Sequence, residues 1–138
     1  MPKADVHITV GRRFHFEARF ETQRAPRTVE AFRSLMPYRQ QLIQARWSGE
    51  ACWIPLGDFQ LGVPAENQTQ EPAPGEILWY PGGISETELL FPYGETRFAS
   101  KFGALAGNHF LTVVSGQDRL GDMGRHVLEH GAQEIIFE

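Results

Sequence analysis

The chain has 138 residues, a formal net charge of −4, 41% hydrophobic and 12% aromatic content, and a single cysteine. One domain spanning residues 1–138 is expected, long enough to bury about two-thirds of its unfolded surface. The acidic balance argues against a nucleic-acid groove, a lone Cys52 excludes an internal disulfide framework or a cysteine-rich zinc site, and no run nears the roughly 18 apolar residues of a membrane span.

The opening MPKADVHITV has neither a long apolar core nor a cleavage signature, so it does not read as a signal peptide, and a soluble cytoplasmic protein is expected. Val6, Ile8 and Val10 alternate with His7 and Thr9, the period-two pattern of a half-buried strand. Gly11 turns the chain, and Phe14, Phe16, Ala18 and Phe20 alternate again. A helix is expected in APRTVEAFRSLMP (25–37), with Pro26 in its first turn and Val29, Phe32 and Leu35 or Met36 at helical spacing before Pro37. Residues 41–48 read as a strand, Ser48-Gly49-Glu50 as a turn and 51–56 as a second strand, with Pro55 at an edge or bulge. Residues 62–74 are polar, proline-rich and aperiodic, hence a surface loop. Asn67-Gln68-Thr69 matches a glycosylation acceptor but carries no weight in a cytoplasmic chain.

The stretch GEILWYPGGISETELLFPYG (75–94) is the centre of the reading. It predicts a strand (75–80), a Pro81-Gly82-Gly83 turn, a second strand (85–91) and a Pro92-Tyr93-Gly94 turn. Its aromatics and the carboxylates Glu86 and Glu88 suggest a cavity wall. Residues 95–107 read as an irregular connection and 108–114 as a strand. Asp118 is placed to cap a helix with Leu120, Met123 and Val127 on one face, Gly131 to end it, and 133–137 to form the last strand. Two helices are too few to cover both faces of a parallel sheet. A mainly β, closed antiparallel barrel with a helix over each open end fits the order better.

The run GRRFHFEARFETQRAPRTVEAFRSLMP resembles the opening of a cyclophilin, with the helix approached through Ala25-Pro26-Arg27-Thr28-Val29. GEIL at Gly75 and NHFLTVV at Asn108 resemble later cyclophilin barrel strands. ARWSGEACWIPLGD, YPGGISETELLFPYG and AGNHFLTVV together resemble the bacterial cyclophilin-like family known as domain of unknown function 3830. The resemblance covers nearly the whole chain and implies a cyclophilin-like fold, not an activity. Against an active prolyl isomerase, the Phe-His-Arg signature reads Ala45-Arg46-Trp47 and the Gln-Gly-Gly motif is replaced by Pro55-Leu56-Gly57-Asp58.

Several residues carry candidate chemistry. On a strand, Arg46 and Trp47 point to opposite faces; an inward Arg46 could clamp a carboxylate or phosphate, and the plainer alternative is an ion pair with Glu50 or Glu88. Glu86 and Glu88, two apart, fall on one face of a strand, where mutual repulsion would raise one pKa as an acid–base pair needs. His109 could act as a general base, or sit satisfied in the barrel wall. His126 and His130, at i,i+4, lack the rest of a metal signature and suit a helix C-terminus, so no metal is expected. Cys52 reads as a buried small hydrophobe, and no glycine-rich phosphate cradle occurs.

The leading expectation is a domain that binds a small, anionic molecule or a short peptide in a barrel-side pocket lined by Arg46, Trp53, Tyr80, Glu86, Tyr93, Arg97 and Asn108, with Glu88 and His109 beside them. The alternative is an enzyme in which a carboxylate (Glu86 or Glu88) and His109 share proton transfer and Arg46 orients an anionic substrate, with no cofactor. A third reading makes the aromatic turns a homo-oligomer interface.

Overall fold

The opening hairpin folds as its alternation predicts. β1 (Val6–Val10) and β2 (Phe14–Phe20) pair antiparallel with Ile8 opposite Phe16, and the turn passes through Gly11 and Arg12 at φ of 60° and 62°. This is a computed structural model, and it describes residues 4–138.

Beyond the hairpin come α1 (Pro26–Arg33), β3 (Tyr38–Gln44), β4 (Gly49–Pro55), β5 (Gln68–Thr69), β6 (Glu76–Tyr80), β7 (Glu88–Thr96), β8 (Ala99–Ser100), β9 (Gly103–Ala104), β10 (Gly107–Ser115), a 3-10 turn (Gln117–Arg119), α2 (Leu120–His130) and β11 (Gln133–Phe137). Eight strands close into an antiparallel barrel in the order β2-β1-β11-β3-β4-β7-β6-β10, with β10 returning to β2. The short β5 adds to β10, and β8–β9 form a separate small hairpin. This is the expected closed cyclophilin-like barrel with two helices.

The inward side chains of the strands make one core, joined by Val29 and Phe32 of α1 and by Leu120, Met123 and Val127 of α2. Phe32 is fully buried and meets Tyr38, Trp79, Phe110 and Phe137 at ring separations of 4.9–6.4 Å. Each such pair adds about 0.5–1.5 kcal/mol beyond area burial, so this aromatic cluster fixes α1 to the barrel.

A second buried cluster lies on the outer face of the wall. Ala51, Leu78, Tyr80, Leu90, Phe98 and Leu105 pack there, with Ala45 and Trp53 against them. Both faces of β7 are therefore covered: Leu89 and Phe91 point into the barrel, while Glu88 and Leu90 point outward beneath the segment 97–105. That covering segment is why the alternation of this strand is broken by Leu90.

The structure corrects the expected boundaries in five places. The first helix stops at Arg33 instead of running to Pro37, since Ser34 takes the C-cap. The strand expected over 41–48 is β3, shifted to Tyr38–Gln44, because β11 pairs with Tyr38 through Leu42. Pro92-Tyr93-Gly94 is no turn; β7 runs through it, with a register shift opposite, between Gly49 and Ala51, and Gly94 leaves room for the Glu50 carboxylate, which a Cβ would approach to 2.5 Å. Asp118 does not cap α2, which the 3-10 turn precedes.

The fifth correction concerns 62–74, a loop as expected except that Gln68–Thr69 adds to β10 as β5, and the loop is pinned. Its Glu66 carboxylate accepts from the amides of Arg27 and Thr28 at 3.1 and 2.8 Å and from the Thr28 hydroxyl at 2.7 Å, serving as a cap for α1 from a distance in sequence. These bonds outweigh the cost of partial burial and hold the Glu66 carboxyl below the ordinary carboxylate range.

Candidate functional site

The loop between β6 and β7 is built to hold its shape. Gly82 and Gly83 take φ of 92° and 130°, which side chains rarely adopt. The Tyr80 hydroxyl accepts from the amides of Ile84 and Ser85 at 3.0 and 3.3 Å. Thr87 donates from its hydroxyl to the Phe59 carbonyl at 2.8 Å and from its amide to the Gly57 carbonyl at 3.0 Å. Glu86 and Glu88 emerge from this fixed loop side by side.

They line a cavity of about 300 Å³ on the outer face of the barrel wall, together with Arg46, Trp47 and Ser48 of the β3–β4 turn, Trp53 of β4, and Ser100, Lys101 and Phe102 of the β8–β9 hairpin. The hairpin is tethered at its base: Phe98 packs edge-on against Tyr80, and the Ser48 hydroxyl donates to the Ala99 carbonyl and accepts from the Ala99 amide, both at 3.1 Å. Its tip carries Lys101 and Phe102 into solvent, the latter 65% exposed. Trp47, at 54% exposure, completes an apolar rim.

Glu88 is 6% exposed and, among the described residues, has neither a hydrogen-bond nor an ion-pair partner. Burial, reinforced by the neighbouring charge of Glu86, pushes its pKa up to about 8. It is thus a carboxylic acid at neutral pH, able to give or take a proton near physiological conditions. Arg46 and Lys101 also lack ion pairs among the described residues and lie over rings of their own segments: Arg46 over Trp47 at 5.6 Å, Lys101 over Phe102 at 5.0 Å.

Of the residues singled out in the sequence, Arg46, Trp53, Glu86 and Glu88 meet at this cavity. Arg46 and Trp47 reach it otherwise than by strand alternation, since both leave β3 for the turn and are exposed. Glu86 precedes β7, so the two carboxylates are neighbours through the loop and not through a shared strand face. Tyr80 lies behind the cavity as part of its wall. Arg97 lines an adjoining open depression with Trp47 and Ser48 and is held by Glu71 at 2.6 Å.

Three residues belong elsewhere. Tyr93 packs on α2 at the far end of β7, where a Cβ on Gly124 would come within 2.2 Å of its ring, and its hydroxyl donates to Gln44 at 2.9 Å. Asn108 is buried and fully engaged, accepting from the Glu66 amide at 2.9 Å and donating to the Thr28 hydroxyl at 3.0 Å and the Pro64 carbonyl at 2.9 Å. His109 shares no cavity with Glu88: it pairs with Leu78, which pairs with Leu90, so two strand spacings and two residues put their Cα atoms about 12 Å apart. Its Nε2 lies 2.7 Å from the Thr112 hydroxyl, which donates in turn to Glu21, itself paired with Arg19. Because Thr112 donates onward, Nε2 carries the proton. Burial holds the His109 pKa below its ordinary value, against the opposing pull of Glu76 and Glu21.

The remaining candidates read plainly. His126 and His130 stack at 4.6 Å on α2, and no group of three or more metal-binding side chains occurs among the described residues. Cys52 is buried, and burial raises its thiol to about 12, so it is not a nucleophile. No glutamine lines the cavity beside Arg46, as a prolyl-isomerase arrangement requires. Sequence reasoning missed Lys101 and Phe102. The available signal was an aromatic beside a lysine at the tip of a glycine-flanked connection, where no core position calls for one.

No helix among the described residues is long and apolar enough to cross a membrane. Among solved structures, the chain is similar to that of McbB in complex with tryptophan, with a TM-score of 0.72 and 17% identity over 97% of this chain. The chain spans 44% of the length of that structure, and at this identity the likeness is one of fold. The search of curated proteins returned no match. The family comparison is direct: residues 8–138 match the model described as "Protein of unknown function (DUF3830)", and the chain belongs to that family.

Proposed function

We propose that the protein binds a small organic molecule in the outer-wall cavity and that Glu88 exchanges a proton with it. The observation that carries this reading is Glu88 itself: a carboxyl at a cavity wall, raised to about 8, with no side-chain partner among the described residues. Its oxygens open onto the cavity, and strongly raised carboxyls cluster where chemistry or binding uses them. The rim of Trp47 and Phe102 offers apolar contact, and Arg46 and Lys101 offer charge. McbB, the solved structure of similar fold, was determined in complex with tryptophan, in keeping with a small-molecule ligand.

The enzymatic version of this reading uses Glu88 as the proton donor or acceptor, Glu86 as the neighbour that tunes it and Arg46 as an anchor. His109 is too far to share the transfer. The test is a thermal-shift screen of a metabolite library against the wild type, Glu88→Gln and Arg46→Ala. At least one compound should raise the wild-type melting temperature and lose most of that effect in both variants. A library in which no compound does so would sink the proposal.

A further inference from the structure

The four ionisable side chains at the cavity come from different directions. Glu86 and Glu88 approach on the β6–β7 loop and the start of β7, Arg46 on the β3–β4 turn and Lys101 on the β8–β9 hairpin. Charges of both signs border a space of about 300 Å³, yet among the described residues none of the four forms an ion pair within 4.0 Å. Elsewhere on the surface, arginines do find carboxylates: Arg97 with Glu71 and Arg39 with Glu134, each at 2.6 Å.

An occupant with negative charge alone would face the Glu86 carboxylate beside the neutral Glu88, and one with positive charge alone would face two cations. Either one-signed ligand leaves part of the site opposed. A ligand carrying both signs satisfies all of it. The space is at the small end of ligand cavities, and Trp53 in its wall with Trp47 and Phe102 at its lip suit an apolar body and the face of an ammonium group.

We infer that the occupant is an amino-acid-like zwitterion, its ammonium group set against Glu86 and Glu88 and its carboxylate against Arg46 and Lys101. This rests on the cavity being a ligand site, as proposed above. Glu86, on its own segment, is the charged group that acts on Glu88; Arg46 and Lys101 border the same cavity from the other two segments, and the Tyr80 phenol lies across the β6–β7 pair with its oxygen already taken by two amides. With its pKa near 8, Glu88 holds a proton at pH 7. An arriving ammonium favours the carboxylate, so Glu88 ionises and its proton passes to the solvent. Binding is then coupled to the release of close to one proton.

The experiment is titration calorimetry at pH 7 in two buffers of different ionisation enthalpy. The probes are the apolar and aromatic amino acids, each with its counterpart lacking the amine and its counterpart lacking the carboxylate; for phenylalanine these are 3-phenylpropionate and phenethylamine. At least one amino acid should bind about ten- to a hundredfold more tightly than both counterparts, the usual worth of a charged hydrogen bond. Its proton release should approach one in the wild type and vanish in Glu88→Gln. Lys101→Ala should weaken the amino acid and leave the amine counterpart unchanged.

A carboxylate counterpart that binds as well as its amino acid overturns the inference and leaves the cavity reading standing. So does silence from all three series when a metabolite hit still depends on Glu88. Silence from those series and from the metabolite library overturns both.

Discussion

Glu88 and His109 are both titratable and on the outer face of the same barrel wall, Glu88 buried and His109 half-buried, and they differ above all in their partners. His109 is served by Thr112, Glu21 and Arg19 in an unbroken chain of hydrogen bonds. The Glu88 carboxyl has neither a hydrogen bond nor an ion pair among the described residues. The first arrangement uses burial to fix β10 against β2. The second leaves a proton-bearing group at a cavity wall, a cost to stability that a purely structural position would have shed. Satisfaction by the protein, more than residue type, separates the two groups.

The two groups pull stability in opposite directions with pH, and that gives the largest expected effect. Glu88 has a folded pKa of about 8 against 4.5 unfolded, so between those values the native state holds a proton that the unfolded state has lost. Its contribution is full below 4.5 and falls as pH rises through 8, by up to about 1.4 kcal/mol per unit and as much as about 5 kcal/mol in all. His109 is lowered below 6.5, so its contribution is full above 6.5 and is lost as pH falls through its folded pKa. Urea unfolding from pH 5 to 8 should therefore show stability declining toward alkaline pH. Glu88→Gln should abolish that decline, and His109→Gln should steepen it between 5 and 6.5. Identical profiles for the wild type and Glu88→Gln would mean that Glu88 ionises normally.

A second prediction tests the satisfied class at a different residue. Asn108 closes three hydrogen bonds that tie α1, the 64–66 loop and β10 together. Asn108→Ala strands those partners in a buried place and should cost about 3 kcal/mol in urea unfolding. Ligand affinity at the cavity should stay within about twofold, because no element that Asn108 holds lines it. A large loss of affinity with little loss of stability would return Asn108 to the binding site.

The sequence carried the barrel well because its strands obey period two where one face is buried. Ile8, Phe14, Phe16 and Phe20 all point inward as the alternation requires. It misled where a second layer intervened. The 97–105 segment buries Leu90 and Glu88 on what alternation alone marks as the outside, so no periodicity could say that Glu88 is the buried member of its pair with Glu86. Pro92-Tyr93-Gly94 has turn composition, yet it lies within β7 because Gly94 admits the Glu50 carboxylate and Tyr93 needs the gap left by Gly124. Those are long-range contacts. Glu66 was hidden likewise: it caps a helix 38 residues away, a partnership that no local motif encodes.

The smallest expected effect on stability is also the clearest division of labour. Phe102 is 65% exposed at the hairpin tip and contributes no side chain to either buried cluster. The hairpin keeps its place through Phe98, Leu105 and the Ser48–Ala99 bonds, none of which involve that ring. Phe102→Ser should thus leave unfolding within about 0.5 kcal/mol of the wild type. An exposed ring with no folding role still has a use if it covers a ligand, and losing that cover should weaken cavity binding about tenfold, the worth of roughly one apolar contact surface of this size. Phe98→Ser is the counterpart, since Phe98 is fully buried against Tyr80. It should cost about 3 kcal/mol or more and damage binding only through the misplaced hairpin. If Phe102→Ser instead destabilised the fold, the ring would belong to the wall and the cavity would lose its lip.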